Sequence, residues 1–201
     1  MACRNWDDVY RSGAHWETQH SNQAERFAQH LAPRSQVLDA GCGSGRDVGY
    51  FASCGHRAVG IDASSVAIAR ARQRYPSQDI RFSVARIEQL PFRSGAFEAV
   101  YCAYTLQDTA YAEGISEIAR VLGDGGLAWL TVFTETKYER PCGLDQTLAI
   151  RPFIAVVQAK FHVLHEERDE YVEQDEHGAH RHKRLILFVR RLPPDQCCEP
   201  G

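Results

Sequence analysis

The sequence predicts an α/β fold in which a mostly parallel sheet, built from consecutive βαβ units, is closed by an antiparallel hairpin. Three observations predict it. Short apolar β-type runs alternate with helical patterns through the middle of the chain, as in a parallel sheet covered by helices. The first such run enters a turn with glycines at 41, 43 and 45 and continues into a helical pattern. Near the end, two long β-type runs are joined by a stretch too short for a helix, so they must pair antiparallel.

Taken in order, Ala24, Phe27, Ala28 and Leu31 form the apolar stripe of a helix ahead of the sheet. Gln36–Ala40 is the first strand. The helix Arg46–Cys54 follows and is closed by Gly55, a residue suited to the left-handed position after a helix end. Strand Arg57–Ile61 leads to a helix that Ser64 or Ser65 can cap and Pro76 ends. Ile80–Val84 and Phe97–Cys102 are the third and fourth strands. Between Glu113 and Leu122, the residues Ile115, Ile118, Ala119 and Leu122 share one helical face. Leu127–Phe133 is the fifth strand. Phe161–Val172 and Lys183–Arg191 make the hairpin, with Glu173–His182 as its polar turn around Gly178.

Composition narrows the function. A chain of 201 residues suits one α/β domain, and it buries enough surface to fold without a metal or disulfide staple. With 44% apolar and 24% charged residues it is neither disordered nor fibrous. A net charge of −3 argues against a broad nucleic-acid surface. No apolar run is long enough to span a membrane, and the opening does not resemble a secretory signal. Seven cysteines without a C-x-x-C pair are expected as free thiols. The expectation is a cytoplasmic protein with no membrane or nucleic-acid partner.

The stretch from Val37 to Arg46 carries the chemistry. Its pattern is D-x-G-x-G-x-G, beginning at Asp39 and ending at Gly45. A dinucleotide fingerprint would need glycine at position 46, where Arg46 stands. A carboxylate at the strand end repels a pyrophosphate but suits an ammonium group. Asp62, 23 residues after Asp39, closes the next strand and can accept both hydroxyls of a ribose. Singly, the glycines are explained by a strand–helix turn and Asp62 by a helix cap. Together, at this spacing, they fit an adenosine with an amino-acid tail.

The segments VLDAGCGSGRD, AVGIDAS, IEQLPF, FEAVYCAYTLQD and EIARVLGDGGLAWLTVF, in this order, resemble the successive motifs of class I S-adenosylmethionine-dependent methyltransferases. The opening WDDVYRSGAHWE is similar to the N-terminal segment of small one-domain members, including the tellurite-resistance group. The resemblance implies a Rossmann-like, seven-stranded, mostly parallel sheet with helices on both faces and an antiparallel last strand. It implies S-adenosylmethionine as cofactor, with Asp39, Gly41 and Gly43 lining the methionine moiety; Cys42 and Gly45 of the same loop are also expected among the cofactor-binding residues. Asp62 and Ala63 would meet the ribose, Ile87 the adenine, and Ala103 the methionine side near the sulfonium. Read from the residues themselves, Trp6, Tyr10 and Trp16 would form an aromatic lid over the cofactor or pack the first helix on the sheet. The domain would run over 1–192: an N-terminal cap over 1–35, a cofactor-binding core over 36–133, and a substrate-side segment with the hairpin over 134–192. A flexible tail would occupy 193–201. Two positions depart from the family pattern. Arg86 stands where many members place an aspartate for the adenine amino group, and a guanidinium cannot accept that bond. Asp108 replaces the family's common histidine after the fourth strand.

For the substrate side, the polar turn of the hairpin falls on the ligand face if its first strand runs parallel to the others. His180 and Arg181 are the expected substrate contacts, with Tyr104 and Asp108 on the opposite wall; Arg184 can also grip an anion. His180 and His182 share a strand face and His177 can join them across the turn, a metal-like pattern that a solvated turn explains as well; no metal is expected. Cys42 and Cys102 flank the site and are expected to be inert. The predicted reaction is in-line transfer of a methyl group to a small-molecule nucleophile. Its alternative is a non-catalytic S-adenosylmethionine-binding or partner subunit, motivated by Arg86 and by the absence of an obvious base. An NAD oxidoreductase is disfavoured by Arg46. Oligomeric state is not predicted.

Overall fold

Strand β1 (Gln36–Ala40) is buried over its last four residues, as a central strand of a sheet covered on both faces must be. It belongs to a computed structural model of the chain that describes residues 5–12, 19–77, 80–138, 146–175 and 178–193. Ahead of β1 lie helices α1 (Trp6–Ser12) and α2 (Asn22–Ala28). After it come α3 (Arg46–Ser53), β2 (Arg57–Asp62), α4 (Ser65–Arg74), β3 (Arg81–Val84) and β4 (Phe97–Ala103). A 3-10 turn at Leu106–Asp108 leads to α5 (Tyr111–Val121) and the long β5 (Leu122–Tyr138). The remainder is β6 (Gln146–Thr147), α6 (Ile150–Gln158), β7 (Phe161–Asp175) and β8 (Gly178–Arg191).

The sheet order is β3-β2-β1-β4-β5-β8-β7. The first five strands pair in parallel, and β8 runs antiparallel to both β5 and β7. This is the expected seven-strand path; the two-residue β6 is an addition that pairs with β5 off it. Alternation along the strands supplies two cores. Leu38, Val100 and Cys102 pack with Ile115 and Ile118 of α5 and Phe153 of α6. Val37, Ala99, Tyr101 and Trp129 pack with Phe27 of α2, Phe51 of α3 and Ile68 of α4. Helices therefore cover both faces. The chain passes from β1 outward to β3 and then returns to β4 on the other side, so a crevice opens at the carboxyl ends of β1 and β4.

Local signals behaved as their chemistry requires. Ser64 caps α4 by accepting from the Ala67 N–H, and Gly55 follows α3 at a φ of 85°.

The hairpin differs from expectation in one respect. The polar stretch Glu173–His182 is not a turn: β7 runs on to Asp175 and β8 begins at Gly178, with Asp175 opposite Gly178. Glu173, His180 and His182 of this stretch line a cavity, so polarity at these positions marks an inward face. Of the earlier readings, His177, Trp16 and positions 194–201 of the tail lie outside the described residues.

Candidate active site

The turn after β1 opens the crevice. Gly41 and Cys42 donate their N–H groups to the Ile61 carbonyl at 2.8 and 2.9 Å, which ties the loop to the end of β2. Gly41 has a φ of 90°, and a Cβ placed on it would lie 1.9 Å from the Thr105 hydroxyl oxygen. Gly43 has a φ of 53°, and its Cβ would lie 2.4 Å from the Tyr10 hydroxyl. Only glycine fits these two positions. Asp62 closes the loop: one carboxylate oxygen accepts the Gly43 N–H at 2.9 Å and the other the Ser64 N–H at 2.8 Å.

Above the loop sits α1. Asp7 accepts from the Ser64 hydroxyl and the Val66 N–H at the start of α4, and thereby fixes the helix across the crevice. Trp6, Val9 and Tyr10 form its underside. Beneath lie two buried acids. Burial, and then the charge of Asp47, push the Asp39 carboxyl well above the usual range, with Arg46 opposing. Burial also raises Asp47, although Arg46 and the Ser21 N–H, 2.7 Å away, favour its charged form. Burial raises the Cys42 and Cys102 thiols as well, so neither is a thiolate at neutral pH.

The other wall comes from the hairpin and β5. Cross-strand pairing sets three rows: Phe133–Arg184–Asp169, Thr136–His182–Tyr171 and Tyr138–His180–Glu173. The residues on β7 and β8 recur every second position. On β5 the spacing is irregular because the register shifts between Phe133 and Glu135, and this bulge turns Thr136 and Tyr138 onto the same face as Phe133.

Tyr104 joins the two walls. It follows β4 with a φ of 59°, a left-handed conformation that is strained for an aromatic residue. The Thr131 carbonyl accepts its N–H at 2.8 Å, and its own carbonyl accepts from Gln107 at 2.7 Å. Its ring stacks on Phe133. The Gln23 carbonyl oxygen accepts from the indole of Trp129 and the hydroxyl of Thr131. The Gln23 amide nitrogen therefore faces Tyr104 and donates to its hydroxyl at 2.6 Å, while Arg184 donates from the other side at 2.8 Å. With both lone pairs engaged, the hydroxyl hydrogen is directed away from Gln23 and Arg184. Arg184 is itself held by a two-point pair with Asp169.

The glycine loop, Asp62, the underside of α1, Tyr104 and the hairpin rows, Asp169 excepted, border one cavity of about 720 Å³. Residues 37–126 match the family "Methyltransferase domain". The chain is 25% identical over 171 residues to an uncharacterized methyltransferase of Bacillus subtilis, covering 84% of this chain and 68% of that one. Over residues 37–126, then, the chain matches a methyltransferase domain, and it is similar to S-adenosylmethionine-dependent methyltransferases. It is 36% identical over 100 residues to an uncharacterized methyltransferase of Synechocystis, an overlap covering 48% of this chain. It spans about half the length of that relative, 46%. A TehB-like S-adenosylmethionine-dependent methyltransferase from Corynebacterium glutamicum superposes with a TM-score of 0.64 at 17% identity, covering 92% of this chain and 94% of that one. At that identity the likeness is one of fold.

The expected cofactor residues converge. Asp39, Gly41, Cys42, Gly43, Asp62, Ala63, Ile87, Ala103 and Tyr10 all border the cavity, as do Tyr104, Asp108 and His180. Two expected residues do not. Gly45 turns away: its Cβ would meet the Phe82 ring at 2.7 Å, so it caps α3 and packs on β3. Arg181 is exposed, between Lys137 and Val172 on the opposite face of the sheet. Strand alternation places His182 and Arg184 beside His180, and excludes Arg181. Arg86 is exposed and paired with Glu88 at 3.1 Å, and it borders the cavity together with Glu88, Ile87 and Ala85. Sequence reasoning missed Gln23, Asp47 and Gln107 as wall residues. Asp47 lies inside the glycine-loop motif and was findable there; Gln23 and Gln107 are brought in by tertiary contacts alone.

Proposed function

We propose that this protein transfers a methyl group from S-adenosylmethionine to a small-molecule nucleophile. One observation carries the reading: a single cavity runs from the glycine loop and Asp62 to the polar hairpin wall, with Tyr104 between them. The loop residues suit the cofactor, because the space at Gly41 and Gly43 is already taken by Thr105 and Tyr10 and only bare backbone faces the cavity there. When bound, S-adenosylmethionine supplies a methyl group already activated by its sulfonium.

The chain then has to bind, orient and exclude water. Asp62 retains acceptor capacity for a ribose diol beyond its two backbone bonds. Asp39, with Asp47 behind it, attracts the ammonium group. Glu88 and the backbone around Ile87 take the adenine edge in place of the aspartate that Arg86 replaces. Gln107 contributes a buried amide oxygen without a partner among the described residues, an acceptor for a ligand N–H. Tyr104 aims its hydroxyl donor at the acceptor molecule, and α1 shuts the crevice against water. His180, His182 and Arg184 form the wall that meets the acceptor, a chemistry suited to an anionic or hydroxyl-bearing compound. The enclosed cavity and slightly acidic chain support a small soluble acceptor in the cytoplasm over a nucleic acid.

Calorimetry with S-adenosylmethionine tests the cofactor half. Radiolabelled methyl transfer to a panel of small phenols, thiols, carboxylates and oxyanions tests the rest. Binding without transfer to any of them would favour a non-catalytic cofactor-binding subunit, and absence of binding would overturn both readings.

A further inference from the structure

We propose that Glu173, His180 and His182 form a site for one divalent transition-metal cation of the zinc class, on the acceptor wall of the cavity. The side chains come from paired strands, and their ligand atoms all lie within 4.8 Å of one another. The Nε2 atoms of His182 and His180 lie 3.5 and 3.9 Å from the same Glu173 oxygen. A tetrahedral cation with bonds of about 2.0–2.1 Å holds its donors roughly 3.4 Å apart, so the two His–Glu separations are already close to a coordinating geometry, and the whole set, within 4.8 Å, has only to draw together by side-chain adjustment. Two imidazoles and a carboxylate are a donor set suited to zinc or ferrous iron.

A second, independent observation is how the two rings are held. The Nδ1 of His180 lies 3.1 Å from the Gly178 carbonyl, which can only accept, so that nitrogen carries the hydrogen. A neutral His180 then has its lone pair on Nε2, the atom nearest Glu173. The Nδ1 of His182 bonds the Thr136 hydroxyl at 3.0 Å, which likewise leaves Nε2 toward Glu173. Ligating histidines are typically oriented in this way, through the other ring nitrogen. Both rings are nearly buried and are stacked, on Tyr138 and Phe133 respectively, so their direction is preset. All three residues border the cavity, which leaves the remaining coordination positions open to a ligand from that side. The cation takes an acceptor with an anionic oxygen or sulfur and lowers the pKa of a bound hydroxyl or thiol, whose proton leaves to solvent. That role rests on the methyl-transfer reading; the site itself does not.

The test is titration of chelator-treated protein with zinc chloride by calorimetry, and with cobalt(II) by visible absorption. The expected result is one equivalent bound, with the cobalt spectrum of a nitrogen–oxygen site. Glu173→Gln, at a side chain one-third exposed, keeps the fold and should weaken binding by at least about tenfold. Thr136→Val should weaken it by about the same factor through loss of ring orientation. No uptake by the wild type, uptake undiminished in Glu173→Gln and His182→Asn, or a thiolate charge-transfer band placing cobalt on cysteines would each overturn the site. S-adenosylmethionine titration of the same samples is a separate measurement, so failure of the metal site and failure of the methyltransferase reading are told apart.

Discussion

Arg181 and Arg184 stand three residues apart on β8 yet meet opposite environments. Arg181 faces solvent, whereas Arg184 is gripped by Asp169 and donates to Tyr104. Arg181→Ala should leave turnover within about twofold of wild type. Arg184→Ala removes one of the two donors that orient the Tyr104 hydroxyl and strands Asp169. Hydrogen bonds to charged groups contribute about 1.5–3 kcal/mol, so turnover should fall by roughly tenfold or more. Steady-state kinetics of both variants, with whichever acceptor the methyl-transfer panel identifies, checks the pair; equal effects would refute the assignment. Gly43 gives a second test at this scale. Gly43→Ala places a methyl against the Tyr10 hydroxyl, and Tyr10→Phe clears it, the next atom being 3.3 Å away. S-adenosylmethionine affinity should drop in the single variant and partly recover in the double. Recovery stays partial because alanine at φ 53° keeps about 1 kcal/mol of strain.

Among the elements, α1 shows what one side chain can dock. Asp7 accepts from Ser64 and Val66, and these hydrogen bonds, the Ser64 hydroxyl first, hold its carboxyl below the usual range. A lowered folded-state value means the docking contact is present above the ordinary 3.8 and is lost as pH falls through the lowered value. The lid therefore stays seated at neutral pH. Asp7→Ala should free α1 while α4 keeps its Ser64 cap. The expected outcome is several-fold weaker cofactor binding by calorimetry and faster proteolysis near the N-terminus, with an unchanged unfolding midpoint. The bulge in β5 and the length of β7 and β8 belong to this scale too. Thr136, Tyr138, Glu173, His180 and His182 of the inward rows fell outside the strands expected from the sequence, because a strand end that lines a polar cavity lacks the apolar alternation that betrays one.

For the molecule as a whole, the two buried acids link the empty and loaded states to pH. A raised folded-state carboxyl value makes the charged form costly at neutral pH, and that penalty shrinks as pH falls toward the ordinary value. Asp39→Asn should therefore raise the unfolding midpoint of the free protein at pH 7, with the advantage over wild type shrinking toward pH 4. Cofactor affinity should move the other way, because the ammonium group needs the carboxylate. In the wild type it should fall on acidification through the raised Asp39 value, and in the variant it should be weak and flatter with pH. Melting curves and calorimetry over this range check both directions. Parallel slopes for the two proteins would show that Asp39 does not govern either.

The sequence by itself determined the strand–helix order, the glycine loop, the two acidic strand ends and the antiparallel close. Each is encoded locally, in apolar periodicity, in turn residues or in a carboxylate at the end of a β run. Even the family resemblance was legible there, because its motifs sit at the ends of consecutive strands. Which residues share the acceptor wall was decided only by the tertiary structure. Arg181 and Arg184 carry the same charge in the same polar segment, and only the register of β8 between β5 and β7 separates them. Gln23 reaches Tyr104 across 81 positions of sequence, and Thr136 faces His182 only because a bulge shifts β5. Such contacts depend on pairing between distant strands, and no local pattern of residues specifies them.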